Sequence, residues 1–289
     1  MRIVGDGIDI FRRYGMPLNR MIARVLRLPG ARSLWLRWPV GSVETRIAFD
    51  IWPRPHYAFG VYSAARLAKS LGLPGISVAE FGVAGGRGLL ALERVSCEIA
   101  RALGLRIDVF GFDSGIGMPE AADYRDLPHV WCKGFYAMDV RALTARLSSA
   151  KLILGDVART VPEWAASQQL LPIGFVAFDL DYYSSTSQAL RIFDGDQRTR
   201  LPRVICYLDD IMWPEYAYHN EFVGELLAIR EFNKNHNDRK LCPIHLLRNM
   251  RMIPRPWNDQ MYVMHDFVHH LYCVNLTHGD SSYTQLPIQ

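Results

Sequence analysis

The chain has 289 residues with 33 basic and 29 acidic side chains, and its formal charge is +4 with histidine neutral. Hydrophobic residues make up 49% of the chain and charged residues 21%, which supplies a packed core and excludes a disordered or low-complexity protein. No fixed period recurs along the sequence, so collagen-like, coiled-coil and repeat architectures are excluded too.

The cysteine pattern and the hydropathy both favour an intracellular protein. Five cysteines are scattered without a CxxC pair, which predicts neither a disulfide framework nor a structural zinc site. Acidic and glycine residues interrupt the first ten positions, where a signal peptide needs an apolar run. No stretch approaches the apolar length of a membrane span. We therefore expect a soluble, cytoplasmic protein.

The basic charge is concentrated at the N-terminus. Residues 1–46 contain nine arginines and three acids, a local charge of +6, which leaves −2 for the remainder. Arginines alternate with Trp and Leu over residues 21–38, a pattern that could lie on a membrane, bind an anionic partner or join two copies of the chain. The simpler interpretation is a helical extension, residues 1–56, packed on a main domain at 57–289. No basic stripe follows, so we expect no nucleic-acid partner.

Helical and extended patterns alternate through the rest of the chain. Short apolar runs predict buried strands at Ile76–Phe81, Ile107–Phe112, Lys151–Leu154, Ile173–Phe178 and Arg203–Leu208. Helical spacing predicts helices at Tyr57–Leu71, Leu89–Leu103, Val140–Leu147, Val161–Gln169, Ser184–Phe193 and His219–Asn235. Two alternating runs, near 243–247 and at 262–274, predict an edge hairpin with no helix between its strands. The order predicts an α/β, Rossmann-like, mostly parallel sheet with helices on both faces, whose ligands bind beyond the carboxyl ends of the strands.

Acids and glycines follow the first three predicted strands. Glu80, Gly82 and Gly86 form an acid-x-Gly-x-x-x-Gly turn, which fits neither the dinucleotide GxGxxG pattern nor a phosphate loop. Asp113 ends the second strand, where a carboxylate suits the hydroxyls of a ribose. Asp156 follows the third strand and offers an acceptor for an exocyclic amine such as that of adenine. Each acid could instead cap a helix or start a loop.

Four carboxylates follow the fourth and fifth strands. Asp179 and Asp181 come after one strand, and Asp209 and Asp210 come after the other. Bare carboxylates at neighbouring strand ends repel one another, and a hard divalent cation such as Mg²⁺ removes that repulsion. The alternative is that Asp179 bonds to backbone while Asp210 faces solvent. The pattern favours a metal site.

These motifs resemble class I S-adenosylmethionine (SAM) methyltransferases. More narrowly, they are similar to the macrocin O-methyltransferase group, which modifies sugar hydroxyls on natural products. The similarity covers roughly residues 76–235. The matching pieces are Glu80-Phe81-Gly82 with Gly86, Phe112-Asp113-Ser114 with Met118-Pro119, Gly155-Asp156, Asp179-Leu180-Asp181 with Tyr183 and Thr186, and Asp209-Asp210.

The resemblance implies a seven-stranded SAM-binding fold, Mg²⁺ and methyl transfer to a hydroxyl of a small molecule, such as a sugar or glycosylated metabolite. The implied cofactor residues are Glu80, Gly82 and Gly86 at the methionine moiety, Asp113 at the ribose with Ser114 beside it, and Asp156 near the adenine. The implied metal ligands are Asp181, Asp209 and Asp210. Asp179 would lie close to the reacting methyl, and either Asp181 or Asp179 would accept the proton.

Other interpretations are compatible with the same residues. A SAM-dependent enzyme could methylate an amine without a metal, or a SAM-fold protein could serve binding alone. His56, His219, His265 and His269 are alternative bases, although a lone histidine is more often structural. The acceptor would be lined by residues 1–70, 113–139 and 212–220, whose aromatic side chains suggest a partly apolar or ring-shaped molecule.

Overall fold

The computed structural model describes residues 17–26, 28–166 and 171–276. Its centre is a seven-stranded sheet in the order β3-β2-β1-β4-β5-β7-β6. The strands are β1 (Gly75–Phe81), β2 (Arg106–Asp113), β3 (Lys151–Leu154), β4 (Ile173–Phe178), β5 (Arg200–Leu208), β6 (Arg239–Pro243) and β7 (Met261–Asp266).

Helices connect the strands and cover the sheet. Four precede β1: α1 (Pro17–Val25), α2 (Ala31–Arg37), α3 (Val43–Ala48) and α4 (Pro55–Ser70). Those that follow are α5 (Arg87–Leu103), α6 (Val140–Thr144), α7 (Val157–Ala165), α8 (Tyr183–Ala189), α9 (Gly224–Asn235) and α10 (Leu247–Met250). Single 3-10 turns lie at Tyr124–Asp126, Leu190–Phe193, Gln197–Thr199, Glu215–Ala217 and Pro256–Gln260.

The sheet confirms the predicted fold class. The first five strands are parallel, with β1 between β2 and β4, and β7 runs antiparallel to both β5 and β6. Every residue of β1 and β4 is buried, because helices cover both faces of a parallel sheet. Their apolar runs are therefore continuous rather than alternating, which is why they were predictable from sequence.

Several predicted boundaries differ from the structure. The strand expected near 243–247 ends at Pro243, and α10 with a 3-10 turn lies between β6 and β7, where no helix was expected. The helix predicted from Val161 begins at Val157, because the Asp156 side chain accepts from the Ala158 N–H and caps it. The helix predicted from His219 begins at Gly224, after an extended Val223. Residues 167–169 of the predicted Val161–Gln169 helix lie outside the described residues.

The N-terminal helices pack on the main body, as the simpler interpretation of the basic segment predicts. Helices α1 and α2 cover a second, small core, with Trp35 and Leu36 packed against it. The buried members of this core are Ala23, Leu26, Phe49 and Ile51. Residues 1–16 of the predicted extension lie outside the described part. No helix in the described ranges has the length and apolar character needed to span a bilayer.

A buried ion pair joins this segment to the C-terminal part of the chain. Arg251 Nη2 donates to Asp50 Oδ1 at 2.5 Å, and the two side chains are 2% and 1% exposed. The same Nη2 donates to the Ile47 carbonyl, and Trp257 Nε1 donates to Asp50 Oδ2 at 3.4 Å. Asp50 has a φ of 56°, a strained value for a residue with a side chain. The pair therefore fixes the backbone in the connection between α3 and α4.

We expect loss of this ion pair to destabilise the protein. Arg251→Met leaves the Asp50 carboxylate buried and unpaired, so the free energy of unfolding should fall by about 3–5 kcal/mol in urea titrations. The matched control is Arg248→Met, which breaks the half-exposed Arg248–Asp259 pair and should cost less than about 1 kcal/mol. Adding Asp50→Asn to Arg251→Met should recover part of the loss. Equal effects of Arg251→Met and Arg248→Met would contradict this role.

Candidate active site

Four parallel strands of the sheet end in one common register. Phe112, Phe81, Phe178 and Leu208 pair in a single row across β2, β1, β4 and β5. The Phe81 ring is fully buried and stacks between Phe112 at 4.6 Å and Phe178 at 5.6 Å. The next residues along the four strands are Asp113, Gly82, Asp179 and Asp209. Three of the acids predicted from sequence, Asp113, Asp179 and Asp209, therefore directly follow one row of paired residues across the sheet.

The glycine turn after β1 passes close to β4. Gly82 has a φ of 81°, and a Cβ there would collide with the Asp179 carbonyl oxygen. Asp113 fastens the same turn to β2, because its Oδ2 accepts from the Val83 and Ala84 N–H groups at 2.8 Å. Its Oδ1 accepts from the Gly115 N–H at 2.7 Å, which leaves one acceptor position of that oxygen for a ligand hydroxyl.

Glu80 is buried at the end of β1 with only half of its carboxylate paired. Tyr57 Oη donates to Glu80 Oε1 at 2.5 Å, whereas Oε2 has no hydrogen-bond partner among the described residues. A Cβ at position 88 would collide with this carboxylate, so glycine there makes room for it. Burial raises the pKa of Glu80 to about 7, against the opposing hydrogen bond from Tyr57. Unsatisfied buried acceptors are costly, so Oε2 is a candidate ligand atom.

The other predicted cofactor residues lie around the same turn. Gly86, with a φ of 80°, precedes the first residue of α5. Ser114 Oγ donates to the Gly117 carbonyl at 2.8 Å and so shapes the loop after β2. Asp156 is exposed and caps α7, the alternative that sequence left open for it. Its proposed place near an adenine stays a prediction.

Three carboxylates meet where β4 and β5 end. Asp179, Asp209 and Asp210 each offer an oxygen, and the three oxygens lie within 4.8 Å of one another. Asp209 and Asp210 of the predicted metal set belong to this trio together with Asp179, and the Asp181 side chain contacts Asp210, so its predicted role as a ligand stays a prediction. Asp181 has a φ of 59° and its backbone N–H donates to Asp210 Oδ2 at 2.8 Å, so it supports the trio from beside it.

Mutual repulsion and burial disfavour the ionised forms of this cluster. Burial, followed by the neighbouring aspartates, raises the pKa of Asp179 and Asp210 well above the usual range. Burial is also the largest cause that raises the pKa of Asp181 to about 7. Unpaired carboxylates at such short range destabilise the folded protein until a cation or protons neutralise them. The arrangement fits a hard divalent cation, which prefers carboxylate oxygens.

Sequence reasoning missed the groups that surround these acids. Glu225, at the start of α9, is fully buried, and its Oε2 accepts from the Asp210 N–H at 3.2 Å. Tyr207 Oη donates to Asp209 Oδ1 at 2.5 Å, and Gln260 Nε2 donates to the Asp209 carbonyl at 2.8 Å. An acid near the start of a helix is unremarkable in sequence, so nothing there marks Glu225 as part of the site.

Arg54 is the basic group that faces the acids. It precedes α4, and its Nη1 lies 3.4 Å from Tyr57 Oη, the phenol that bonds Glu80. Within the described part of the chain, no carboxylate forms a direct ion pair with its guanidinium. Its charge nevertheless lowers the pKa of Glu80 and Asp179 against the effect of burial. The flanking prolines, Pro53 and Pro55, are the signal in sequence that this segment has a fixed shape.

Three of the four histidines considered as alternative bases contact backbone or phenol oxygens, whereas the buried His56 Nε2 has no hydrogen-bond partner among the described residues. His56 stacks on Tyr207 at 4.1 Å, and burial lowers its pKa to about 3. His219 contacts the Trp213 carbonyl, His265 contacts Tyr272 Oη, and His269 contacts the Arg200 carbonyl. The absence of histidine from the catalytic residues stays a prediction.

Exposed aromatic side chains surround the acids. Tyr136 has a φ of 60° and is 53% exposed, and the nearby charges of Asp181, Asp210 and Asp179 help burial raise its pKa. Tyr216 also raises the pKa of Tyr136, so the 113–139 connection and the 212–220 loop lie close to each other here. Further exposed aromatics of that loop are Trp213 and Tyr218. Both segments were predicted walls of an acceptor pocket.

Comparisons with known proteins find methyltransferases among solved structures. No family model and no curated protein matches the chain. The calicheamicin methyltransferase CalS11 is 22% identical over 92% of this chain and 100% of its own, with a TM-score of 0.47. The O-methyltransferase NovP is 16% identical over 73% of this chain and 79% of its own, with a TM-score of 0.46. An O-methyltransferase from Bacillus cereus in complex with SAH is 13% identical over 88% and 98%, with a TM-score of 0.39.

These matches are methyltransferases, the class that the sequence motifs predict, whereas the narrower macrocin group stays a prediction. At such identities and TM-scores, the likeness does not assign a reaction to this chain.

The raised pKa values give an expected pH dependence of stability in chelator. Glu80 and Asp181, with pKa values near 7, hold protons more tightly in the folded than in the unfolded chain. Their contribution to stability is complete below the ordinary carboxyl pKa of about 4 and is lost as pH rises through 7. Differential scanning fluorimetry of the metal-free protein should thus show a lower Tm at pH 8 than at pH 6.

Asp179→Asn removes one of the repelling charges, so it should raise the metal-free Tm at pH 8 by about 2–4 °C. Mg²⁺ should raise the Tm of the wild type but not that of Asp179→Asn. The control is Asp196→Asn, because Arg198 already lowers the pKa of that exposed acid to about 2 and its loss should give no gain. A metal-free Asp179→Asn protein less stable than wild type at pH 8 would contradict the repulsion.

Proposed function

We propose that this protein is a SAM-dependent methyltransferase that transfers a methyl group to a hydroxyl of a small molecule and uses Mg²⁺. The observation that carries the proposal is the meeting, at one sheet edge, of a half-paired buried Glu80 with the carboxylate trio Asp179, Asp209 and Asp210. The first suits a cationic, nitrogen-bearing end of a cofactor, and the second suits a divalent cation. A sugar or glycosylated metabolite is the acceptor that the sequence resemblance suggests.

The residues around Glu80 fit the methionine moiety of SAM. Glu80 Oε2 would accept from the α-ammonium group, and Arg54 would donate to the α-carboxylate. The ammonium and the carboxylate of the ligand are attached to one carbon atom. Arg54 and Glu80 are correspondingly close, because both contact the same Tyr57 hydroxyl. Asp113 would accept from the ribose through its remaining acceptor position. Ser114, Gly82, Gly86 and Asp156 keep their sequence-derived assignments.

The acidic trio fits a hard cation better than the set drawn from sequence. Asp179, Asp209 and Asp210 would hold Mg²⁺, while Tyr207 and Gln260 fix Asp209 from behind. When bound, the cation lowers the pKa of a coordinated hydroxyl, and SAM supplies the electrophilic methyl group. Backbone hydrogen bonds from Asp179 N to Phe81 O and from Asp209 N to Phe178 O hold the two strand ends that carry these acids.

Of the two candidate bases, Asp179 and Asp181, we assign to Asp181 the acceptance of the proton from the attacking hydroxyl. It stands outside the trio but next to it, where its backbone N–H donates to Asp210 Oδ2 at 2.8 Å, so its carboxylate would lie beside a hydroxyl bound at the cation. The protein otherwise aligns the two reactants and excludes water, which is the main demand of an in-line displacement. Tyr136 and the aromatic loop at 212–220 would cover the apolar parts of the acceptor.

Calorimetric titration of the full chain with S-adenosylhomocysteine (SAH), with and without Mg²⁺, tests the cofactor assignment. We expect micromolar binding to the wild type, and Asp209→Asn should retain that binding while losing the Mg²⁺-dependent rise in Tm. Chelator should then abolish turnover with hydroxylated acceptors. Turnover of an amine that survives chelator would favour the N-methyltransferase alternative. SAH binding without turnover on any acceptor would favour a binding protein, and absence of SAH binding would refute the proposal.

Arg54 gives a separate prediction, because one SAM-related ligand lacks the group that it would bind. Methylthioadenosine has the nucleoside and the thioether but no amino-acid moiety. Arg54→Met should therefore raise the Kd for SAH by about 10–100-fold, the loss of a charge-assisted hydrogen bond, and leave the Kd for methylthioadenosine unchanged.

The matched control is Arg66→Met within α4, the helix that Arg54 precedes, because the Arg66 guanidinium lies over Tyr62 instead. It should change neither affinity. Equal weakening of both ligands by Arg54→Met would show that Arg54 acts on the fold of the site rather than on the carboxylate. If neither ligand bound the wild type, the cofactor assignment itself would fail.

A further inference from the structure

The outer faces of α1 and α2 carry large apolar side chains that face solvent. Two exposed residues of α1 are spaced four apart and so lie on one side of that helix, and one exposed residue of α2 is joined by Trp38, the residue that follows the end of α2. The pairs are Met21 with Val25, 57% and 49% exposed, and Leu34 with Trp38, 61% and 58% exposed. Leu28 and Val40, at the ends of the connecting turns, are 61% and 69% exposed. Exposed apolar groups at this density mark an interaction surface.

This surface lies on the side of α1 and α2 that is opposite to the small core. The inner sides of both helices contact the same small core, through Ala23 and Leu26 of the first helical region and Trp35 and Leu36 of the second. Trp35 Nε1 donates to the Val40 carbonyl at 2.9 Å and so holds the turn that exposes Trp38. Because other residues of the two helices contact the core, the apolar pairs are left exposed to solvent. We call them, together with Leu28 and Val40, the outer patch.

The charged side chains of the segment that carries the outer patch are all basic. From residue 10 to residue 43 the sequence has seven arginines and no aspartate or glutamate. Arg32 is used internally, because it donates to the Asp50 and Trp52 carbonyls. Arg24 and Arg37 are exposed beside the apolar pairs, and the Arg37 guanidinium lies 5.3 Å from the Trp38 ring centroid. The patch thus combines apolar, indole and cationic groups.

We propose that the outer patch binds peripherally to an anionic membrane surface. Apolar side chains with an indole enter the interfacial layer of a bilayer, and arginines beside them contact anionic headgroups. The helices are too short to cross, so the binding would be to one face only. A second copy is a poorer occupant, since a two-fold contact would place arginines against arginines with no acid of the same segment to pair with them. This inference does not depend on the proposed reaction.

Flotation of the full chain with vesicles tests the proposal. Vesicles of phosphatidylcholine with about 30% phosphatidylglycerol should carry the protein, and pure phosphatidylcholine vesicles should carry much less of it. Raising the salt from about 0.1 M to about 0.5 M should release most of the bound protein, because the headgroup attraction is screened. No binding to the anionic vesicles would overturn the proposal.

Paired variants separate the outer patch from general surface charge. Arg24→Gln with Arg37→Gln should lower the partition coefficient by about fivefold per arginine, and Leu34→Ser with Trp38→Ser should lower it at least tenfold. Arg101→Gln with Arg191→Gln removes the same charge from exposed positions elsewhere, and Val268→Ser removes an exposed apolar group. These controls should bind like wild type, and all variants should keep the wild-type Tm.

Two results would overturn the assignment. One is equal loss of binding in the controls, which would show nonspecific attraction. The other is a stable dimer in sedimentation equilibrium that Trp38→Ser dissociates, which would assign the outer patch to a second copy of the chain.

Discussion

The constraint on which the site depends is the shared register in which the parallel strands end. Because Phe81, Phe178 and Leu208 stand in one row, the residues that follow on β4 and β5 carry their carboxylates into the same space. Backbone hydrogen bonds from Asp179 and Asp209 to the neighbouring strands hold them there. The acids could separate only if the strands gave up this pairing. The stability of the sheet therefore maintains a cluster of like charges that would not persist by itself.

The positive charge that faces this cluster comes from outside the sheet. Arg54 stands just before α4, on a segment whose position is fixed by the buried Asp50–Arg251 pair. Arg251 thus helps to position the segment that carries Arg54, although the two residues are far apart in sequence. The domain boundary predicted at residue 56 passes between Arg54 and Tyr57, which belong to one hydrogen-bonded group with Glu80. An isolated main domain from residue 57 would lack part of that group.

Sequence predicted those parts of the structure that are fixed by local pattern. Strands β3 and β4 were predicted to the residue, and acids placed directly after strands necessarily came to the same sheet edge. Arg54 and Glu225 could not be found, because their roles arise from tertiary contacts that no local spacing encodes. The metal set was drawn from sequence with Asp181 rather than Asp179. Asp179 is the third member of the trio in the structure, whereas Asp181, two positions further and with a positive φ, contacts Asp210 from beside it, and its part in binding a metal stays a prediction.

The same chain shows how it buries charge when no ligand is involved. Asp266 is paired with Arg200, Asp50 is paired with Arg251, and Asp126 accepts from the Ser184 and Ala122 N–H groups. Each buried acid in that set has a cation or several donors in direct contact. The trio at the sheet edge has no arginine or lysine in direct contact among the described residues, although it is more crowded than any of them. A general tolerance for buried acids would not produce this contrast. The lack of a directly paired basic side chain at this edge of the sheet supports the cation in the proposed function.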